Sequence, residues 1–552
     1  MLEKINHKSA PKEVVNALVT LYHQGKFDDV LSRSSQLIEE YPHTFVLHNI
    51  IGAISFEKGQ KEVAIKHFRK VIELRPHHPH AYNNLGAALI DVGEYEEAKS
   101  NLKKAIELQP DYAEAYNNLG NVYKEMEEYN QAISVYEKAI ELNPEYYEAY
   151  NNLGIIYNQN KNFKKALTYV RYAIFLNPDF SDAYNNMGVI KKTRGKFDKA
   201  IQFFNKAIKI NPNNVMAYCN ISNALLSQGK YKESIKYCDK ALEINKYNPN
   251  AYFHKSLALL SLEKFKEGWL LYESRKKIDP YKKWQLKTLK EEWNKNKDIR
   301  LLLWKEAGIG DEILFSSIFQ NLEKYCKELI VQTDPRLISL FERSFPKKIK
   351  FCSINEKVSE KNYDYHLSTS SLAKFFRNSK NSFSNRSSGW LLPDRIKSKK
   401  FRNMINKKEK RLVGISWFTT QNKENSEDHN IELKKLINCL DTKNVEIVNL
   451  QYGKVNSDIV EIEKDIGVKI HQLPNLDIWK DIDGLASLIE ACDEVISIDN
   501  ITIHLAGALG KKSKALLKRI PDWKWGNSRK NSFWHSSVEL FKKDRSNIFK
   551  KS

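Results

Sequence analysis

The chain has 552 residues, 41% of them hydrophobic and 28% charged, a soluble globular mixture that is too long for a single core. No run approaches the roughly 18 apolar residues that span a bilayer. The N-terminal Met-Leu-Glu-Lys-Ile-Asn-His-Lys has no apolar signal core, so a cytoplasmic protein is expected. Six scattered cysteines without a Cys-x-x-Cys pair argue against a disulfide frame or a zinc site. The net charge is +21, and the last 42 residues hold 13 Lys and Arg against 3 Asp and Glu. Such an excess fits a solvated Lys-rich surface, a phosphorylated substrate or an anionic lipid face. No stacked-aromatic or helix-turn-helix signature accompanies it, so nucleic acid is not expected.

From near the N-terminus the sequence repeats every 34 residues. Tyr82, Tyr116, Tyr150, Tyr184, Tyr218 and Tyr252 stand in one register, and Pro42, Pro76, Pro110, Pro144, Pro178 and Pro212 in another. Lys246 breaks the proline series and Pro280 resumes it. Copies starting at residues 11, 45, 79, 113, 147, 181, 215 and 249 give eight units. Their eighth position is Gly52, Gly86, Gly120, Gly154 and Gly188, then Ser222 and Ser256, and alanine recurs at the twentieth and twenty-seventh. Small residues at these points let two helices approach closely, and the proline ends the second helix. A helix-turn-helix unit of this length cannot bury its apolar face alone and must stack into a solenoid.

The pattern resembles the tetratricopeptide repeat over about residues 11–280, with a degenerate first copy and a last copy carrying Arg275 where Ala is usual. The sixth position holds Asn84, Asn118, Asn152, Asn186 and Asn220. This amide row resembles the asparagine ladder of the eukaryotic O-linked N-acetylglucosamine transferase, which implies a concave face gripping an extended polypeptide. An amide both donates and accepts, independent of the ligand's sequence. The alternative is that Asn is simply a consensus residue of the repeat.

All ten tryptophans lie at or after Trp269, so composition changes where the repeats end. A basic connector, 281–298, leads to a first series of expected strands at 299–304, 328–333, 348–353 and 363–367. After a basic linker, 396–410, a second series runs through 411–417, 445–451, 468–473, 494–499 and 513–517. Helical patterns separate the strands, which predicts two Rossmann-like doubly wound sheets, 299–395 and 411–552, with ligands beyond their strand ends.

Two strand-end loops carry chemistry. Lys305-Glu-Ala-Gly-Ile-Gly-Asp-Glu sets Gly308 and Gly310 for close backbone approach, with Asp311 and Glu312 opening a helix. Asp311 reads either as an N-terminal helix cap or as a general base. Asp499-Asn-Ile-Thr-Ile-His504 places Asp499 at a strand end and His504 in the next helix, whose N-terminus suits a diphosphate. The alternative for His504 is a packed helix residue.

Gly-Ile-Gly-Asp-Glu-Ile-Leu, Gly-Ile-Ser-Trp, Ile-Asp-x-x-x-x-His-Leu-Ala-Gly-Ala-Leu-Gly, and Pro521-Asp-Trp-Lys-Trp-Gly with Ser532-Phe-Trp-His occur in this order. The set resembles bacterial tetratricopeptide proteins whose C-terminal domain is related to the ADP-heptose:lipopolysaccharide heptosyltransferases, glycosyltransferase family nine. That resemblance covers about residues 299–545. It implies a GT-B fold, acceptor loops on the first sheet (Gly308, Gly310, Glu312), and a metal-independent sugar transfer without a resident cofactor. It also implies Asp311 as base and Ser416, Trp417, Asp499, Asn500 and His504 at the nucleotide-sugar site. The chain departs from the family at Asn500, where Thr is usual, at Ile501 and at Phe418, and Lys423 or Lys511–Lys514 are the expected compensating charges.

The expectation is a glycosyltransferase whose repeats present a polypeptide acceptor. Two alternatives stand beside it: a scaffold with a degenerate GT-B domain, and a cell-envelope saccharide transferase whose basic tail makes peripheral membrane contact.

Overall fold

The protein is described by a computed structural model over residues 9–279, 281–383, 389–406, 410–419, 430–453, 455–526, 530–543 and 549–551; Pro280 and Lys423 lie outside these. The chain divides into two compact units, Met1–Thr193 with Gln202–Pro212, and Arg194–Ile201 with Asn213–Ser552.

The repeats form sixteen helices in eight pairs among the described residues, from Lys12–His23 with Phe27–Glu40 to Pro249–Ser261 with Phe265–Tyr272. The eighth position explains itself. A Cβ on Gly52 would lie 2.6 Å from the Phe68 ring, and one on Gly86 would lie 2.6 Å from Leu102 Cγ. Gly120, Gly154 and Gly188 meet Tyr136, Val170 and Phe204 in the same way. Where the repeat carries Ser222 instead, its opposite is the smaller Cys238, at 2.9 Å from the hydroxyl. The turn inside each pair needs a left-handed residue. Gly59, Gly93 and Gly229 supply it freely, whereas Glu127 and Lys161 adopt φ 62° at the same position.

In the second unit a four-stranded sheet holds β1 (Ile299–Trp304), β2 (Cys326–Thr333), β3 (Ile349–Ser353) and β4 (Tyr365–Ser368). They are parallel and ordered β3-β2-β1-β4. A seven-stranded sheet holds β5 (Arg411–Ser416), β6 (Val445–Asn449), β7 (Ile470–His471), β8 (Glu494–Ile498), β9 (Ser513–Leu517), β10 (Val538–Lys543) and β11 (Phe549–Lys551). Its order is β11-β10-β9-β8-β5-β6-β7, parallel except for the β10–β11 edge. Numbered within each series, the orders are 3-2-1-4 and 3-2-1-4-5-6-7, so each reverses beside its first strand, the place where open α/β sheets bind ligands. β1 and β8 are buried along all or nearly all of their length, as strands covered on both faces are.

Two expectations change. The span 396–410 is not a linker for most of its length, because Arg395–Ile405 is a helix capped by the Asp394 carboxylate. Arg402 ties that helix to the Ala491 carbonyl and to Asp493, so its basic composition hid an element with a packing face. Val538–Lys543 is a sixth parallel strand of the second sheet, beyond the five expected for that series.

The last repeat shares one core with the sheets. Trp269 meets Trp523 and Trp534 edge-on at 5.0 and 6.5 Å, and Phe265 meets Phe533 at 5.2 Å. Arg275, fully buried, donates to Glu306 Oε2 at 2.6 Å and to Ser368, Ser370 and Ser371. It stacks on Tyr272 as well, at 4.4 Å. Its guanidinium therefore fills the end of β4, which is why the repeat's usual Ala is absent.

Candidate functional site

The loops after β1 and β8 converge. Gly308 precedes the helix Ile309–Ser316, and Asn500 caps the helix Ile501–Ala508 by accepting from the Thr502 N–H. The two helices touch where a Cβ on Gly310 would stand 3.2 Å from the His504 ring, a close approach that glycine eases. Asp311, on the first helix, accepts from Lys524 Nζ at 2.8 Å. Asp499 lies 3.5 Å from His504 Nε2. Lys524 comes from the short helix Trp523–Trp525, whose Trp525 stacks on His504 at 5.0 Å.

A second layer orients these groups. His504 Nδ1 faces His535 Nε2 at 3.3 Å, and Trp390 stacks flat on His535 at 5.3 Å while its indole N–H donates to Ser316 Oγ. Burial, then the neighbouring His504, pushes His535 well below the ordinary imidazole range and keeps it neutral. Burial alone would raise the Asp499 carboxyl, but His504 and Lys524 hold it well below the usual carboxylate range. Burial opposes charge on Lys524 too, yet Asp311, Asp522 and Asp499 keep its ammonium well above its ordinary value. The result is an alternating set of two carboxylates and two nitrogen groups at both sheet reversals.

Other expected residues are turned inward. Ser416 is fully buried, donates to Gln451 Oε1 at 2.9 Å and accepts from Asn500 Nδ2 at 2.8 Å. The Trp417 ring belongs to the core of the second sheet, and only its backbone N–H reaches the loop, donating to the same Gln451 oxygen. Glu312 is buried and holds the end of β2, accepting from Thr333 Oγ1 at 2.6 Å and the Asp334 N–H, with Lys305 at 2.7 Å. Burial raises its carboxyl above the ordinary range despite Lys305. Lys511 and Lys514 stand at the start of β9, away from the strand ends that build the site, and pair there with Glu490 and Glu494. Lys524 stands in the site instead. It sits inside the Pro521-Asp-Trp-Lys-Trp-Gly motif, which sequence singled out without giving the lysine a role. Gln451 and His535 were likewise missed.

Cavities of about 480 and 1070 Å³ open nearby. The first is lined by Asn449, Gln451, Tyr452, Gln472 and Trp479 at the ends of β6 and β7. The second lies at the ends of β1 and β2, where Trp304, Lys305, Gly308 and Gln332 meet Trp284 and Lys287 of the connector.

The asparagine row has an internal partner. Asn118, Asn152 and Asn186 each donate at 2.9 Å to the buried fifth-position amides Asn83, Asn117 and Asn151 of the preceding repeat. Asn84 reaches Asn49 at 3.5 Å. Each side chain stays partly exposed, and Asn220 holds the same helix position in the second unit.

These observations define an α-solenoid of helix pairs followed by a domain of parallel sheets. Models of the tetratricopeptide repeat match residues 47–78, 77–145, 119–186, 181–214 and 215–248, so the N-terminal part is a tetratricopeptide solenoid. Proteins built of this repeat commonly bind peptide or protein partners. Protein FlbA of Caulobacter vibrioides is 27% identical over 264 residues, 44% of this chain and 44% of that protein's own length. Among solved structures, the APC/C hetero-tetramer Cut9–Hcn1 is 20% identical with a TM-score of 0.40, over 48% of this chain and 53% of that one. MamA is 31% identical with a TM-score of 0.26, over 29% and 95%. No helix among the described residues is long and apolar enough to cross a membrane.

Proposed function

We propose that the protein is a GT-B glycosyltransferase that moves a sugar from a nucleotide-sugar donor to an acceptor hydroxyl, with a polypeptide acceptor held by the repeats. The observation that carries this reading is the pairing of Asp311 from the first sheet with Lys524 beside Asp499 and His504 at the reversal of the second. The donor's diphosphate binds Lys524 and the helix N-terminus at Asn500. Its charge competes with Asp311 for the ammonium and leaves that carboxylate unpaired beside the acceptor. Asp311 then takes the hydroxyl proton as the acceptor oxygen bonds to the anomeric carbon. The bond from that carbon to phosphate breaks, and the nucleoside diphosphate leaves with the electron pair. Trp525 and His535 fix the His504 ring, and His504 orients Asp499 toward the donor.

The test is nucleoside diphosphate release from a panel of nucleotide sugars, with binding of the diphosphates followed by calorimetry. Asp311→Asn should lower turnover by ~10²–10⁴-fold while diphosphate binding persists. Wild-type protein that neither binds a nucleoside diphosphate nor releases one would sink the proposal. A second reading, a docking domain without turnover, is favoured by the closed Ser416–Gln451–Asn500 network. It predicts that same silent result.

A further inference from the structure

The second helices of the repeats carry a surface register that breaks at one place. At their twenty-sixth and twenty-ninth positions, three successive repeats hold Lys–Glu ion pairs: Lys70–Glu73 at 2.6 Å, Lys104–Glu107 at 2.7 Å and Lys138–Glu141 at 2.8 Å. The next repeat places Tyr172 and Phe175 there instead, 44% and 75% exposed. The repeat after it has Lys206 and Lys209, so neither position is acidic, and Lys240 with Glu243 then restores the pattern.

The aromatic pair is the outer end of a continuous ring chain. Tyr157 stacks on Tyr169 at 5.4 Å, Tyr169 approaches Tyr150 at 6.3 Å, Tyr150 meets Tyr172 at 4.7 Å, and Tyr172 meets Phe175 at 5.9 Å. These contacts hold the exposed rings in place, so binding on them costs little side-chain entropy. The helix that bears them, Phe163–Leu176, contains Lys164, Lys165 and Arg171 and no acidic residue. In every other repeat from residue 45 to 244 the equivalent helix carries at least one Asp or Glu.

We infer that this helix face docks an acidic peptide segment with an aromatic or long aliphatic anchor. The anchor would lie on Tyr172 and Phe175, and its flanking carboxylates would meet Arg171, Lys206 and Lys209. The site is separate from the asparagine row and does not depend on the glycosyltransferase reading. Charge complementarity decides the chemistry of the partner. An uncharged apolar segment would leave the basic rim unanswered, and the tilted, mutually touching rings are not spaced to receive successive bases.

The test uses the full chain and a fluorescein-labelled peptide, acetyl-Glu-Glu-Leu-Phe-Glu-Asp-Leu-Glu-amide, titrated by anisotropy in ~150 mM salt to screen loose attraction to the basic surface. Tyr172→Lys with Phe175→Glu recreates the ion pair that three other repeats carry, so the helix keeps its fold. Saturable binding should weaken by ~10-fold or more in that double variant, as hot-spot aromatics do. Lys206→Glu with Lys209→Glu should weaken it as well, and a peptide with Gln and Asn in place of its acids should bind ~10-fold less tightly. The inference falls if no saturable binding occurs below ~1 mM or if the Tyr172 and Phe175 variant binds unchanged. It also falls if the neutral peptide binds equally, or if a thymidine oligonucleotide binds this face and loses binding with the same variant.

Discussion

Two regions of the same repeat series are built on opposite rules. Between residues 45 and 193 each packing position does one job in every copy: glycine opposes a large ring or branched chain, alanine lets helices close, and paired amides join neighbours. In the last two repeats these positions are reassigned. Ser222 opposes Cys238, Gly268 approaches Leu260, and Arg275 leaves the solenoid pattern to fill the end of β4. Where a repeat keeps its register, a residue serves stacking. Where the register breaks, the new residue answers a changed neighbour, inside the repeat for Ser222 and outside it for Arg275.

The sharpest test of that rule is Arg275→Ala. It strands the buried Glu306 carboxylate and three serine hydroxyls, and should cost ~3–5 kcal/mol. Tryptophan fluorescence in urea reads this directly, because all ten tryptophans lie in the unit that holds Arg275. A cost below ~1 kcal/mol would make Arg275 an ordinary drifted repeat position. Arg275→Met with Glu306→Gln, which removes both charges, should recover much of the loss.

The broken register also marks how far the sequence could be read. Periodicity exposed every helix pair, and apolar runs exposed β1 to β9 to within a few residues, because both signals are local. Arg275 was visible as an anomaly, but its partners Glu306 and Ser368–Ser371 lie 31 to 96 residues away along the chain. Lys524 was hidden for the same reason: it meets Asp311 across 213 residues. The inward turn of Ser416 and Trp417 depends on Gln451, whose side chain has no motif to announce it. Asp311, Asp499 and His504 were legible because each stands at or just beyond a strand end, which topology alone makes a ligand position.

Acid should separate the regions next. His67 is pushed down to about 4 by burial, with His48 and Lys66 adding to the effect, and burial lowers His48 too. The folded state therefore holds His67 neutral, while the unfolded chain takes up a proton near pH 6.5. Stability from this site is complete above about pH 6.5 and declines as pH falls toward 4, by about 2 kcal/mol after allowing for solvent screening. His67→Asn, the residue the next repeat carries as Asn101, should flatten that slope in circular-dichroism melts. A slope that survives the change would point to other groups.

A smaller loss is expected from Gly120→Ala. The new methyl meets the Tyr136 ring, and the strain outweighs the helix propensity that alanine adds, for a net cost of about 1–2 kcal/mol. Gly453→Ala makes a contrast, since nothing lies near that position and its φ of 98° is what penalises a side chain there. An unchanged melt for Gly120→Ala would mean that the helices of that repeat can separate without loss.

The smallest effect bears on the asparagine row, where the two uses of one amide are separable. Asn118 donates its N–H to Asn83 Oδ1, and Asn83 in turn donates to Glu114 at 2.9 Å, so the donor half of the ladder is already engaged in joining repeats. Asn118→Ala leaves the Asn83 oxygen buried without a donor and should cost about 1 kcal/mol. Asn83→Ala with Asn118→Ala removes both ends, and its cost per residue should be lower than that of the single change. If the row only stacks repeats, neither variant alters capture of a polypeptide acceptor. If it also grips a backbone, the exposed carbonyl oxygens do so by accepting peptide N–H groups. Asn118→Asp keeps that acceptor and loses the inter-repeat donor, so it should destabilise the solenoid like alanine while retaining more acceptor binding than alanine does. Unchanged binding in both the Asp and the Ala variants would assign the whole row to repeat stacking.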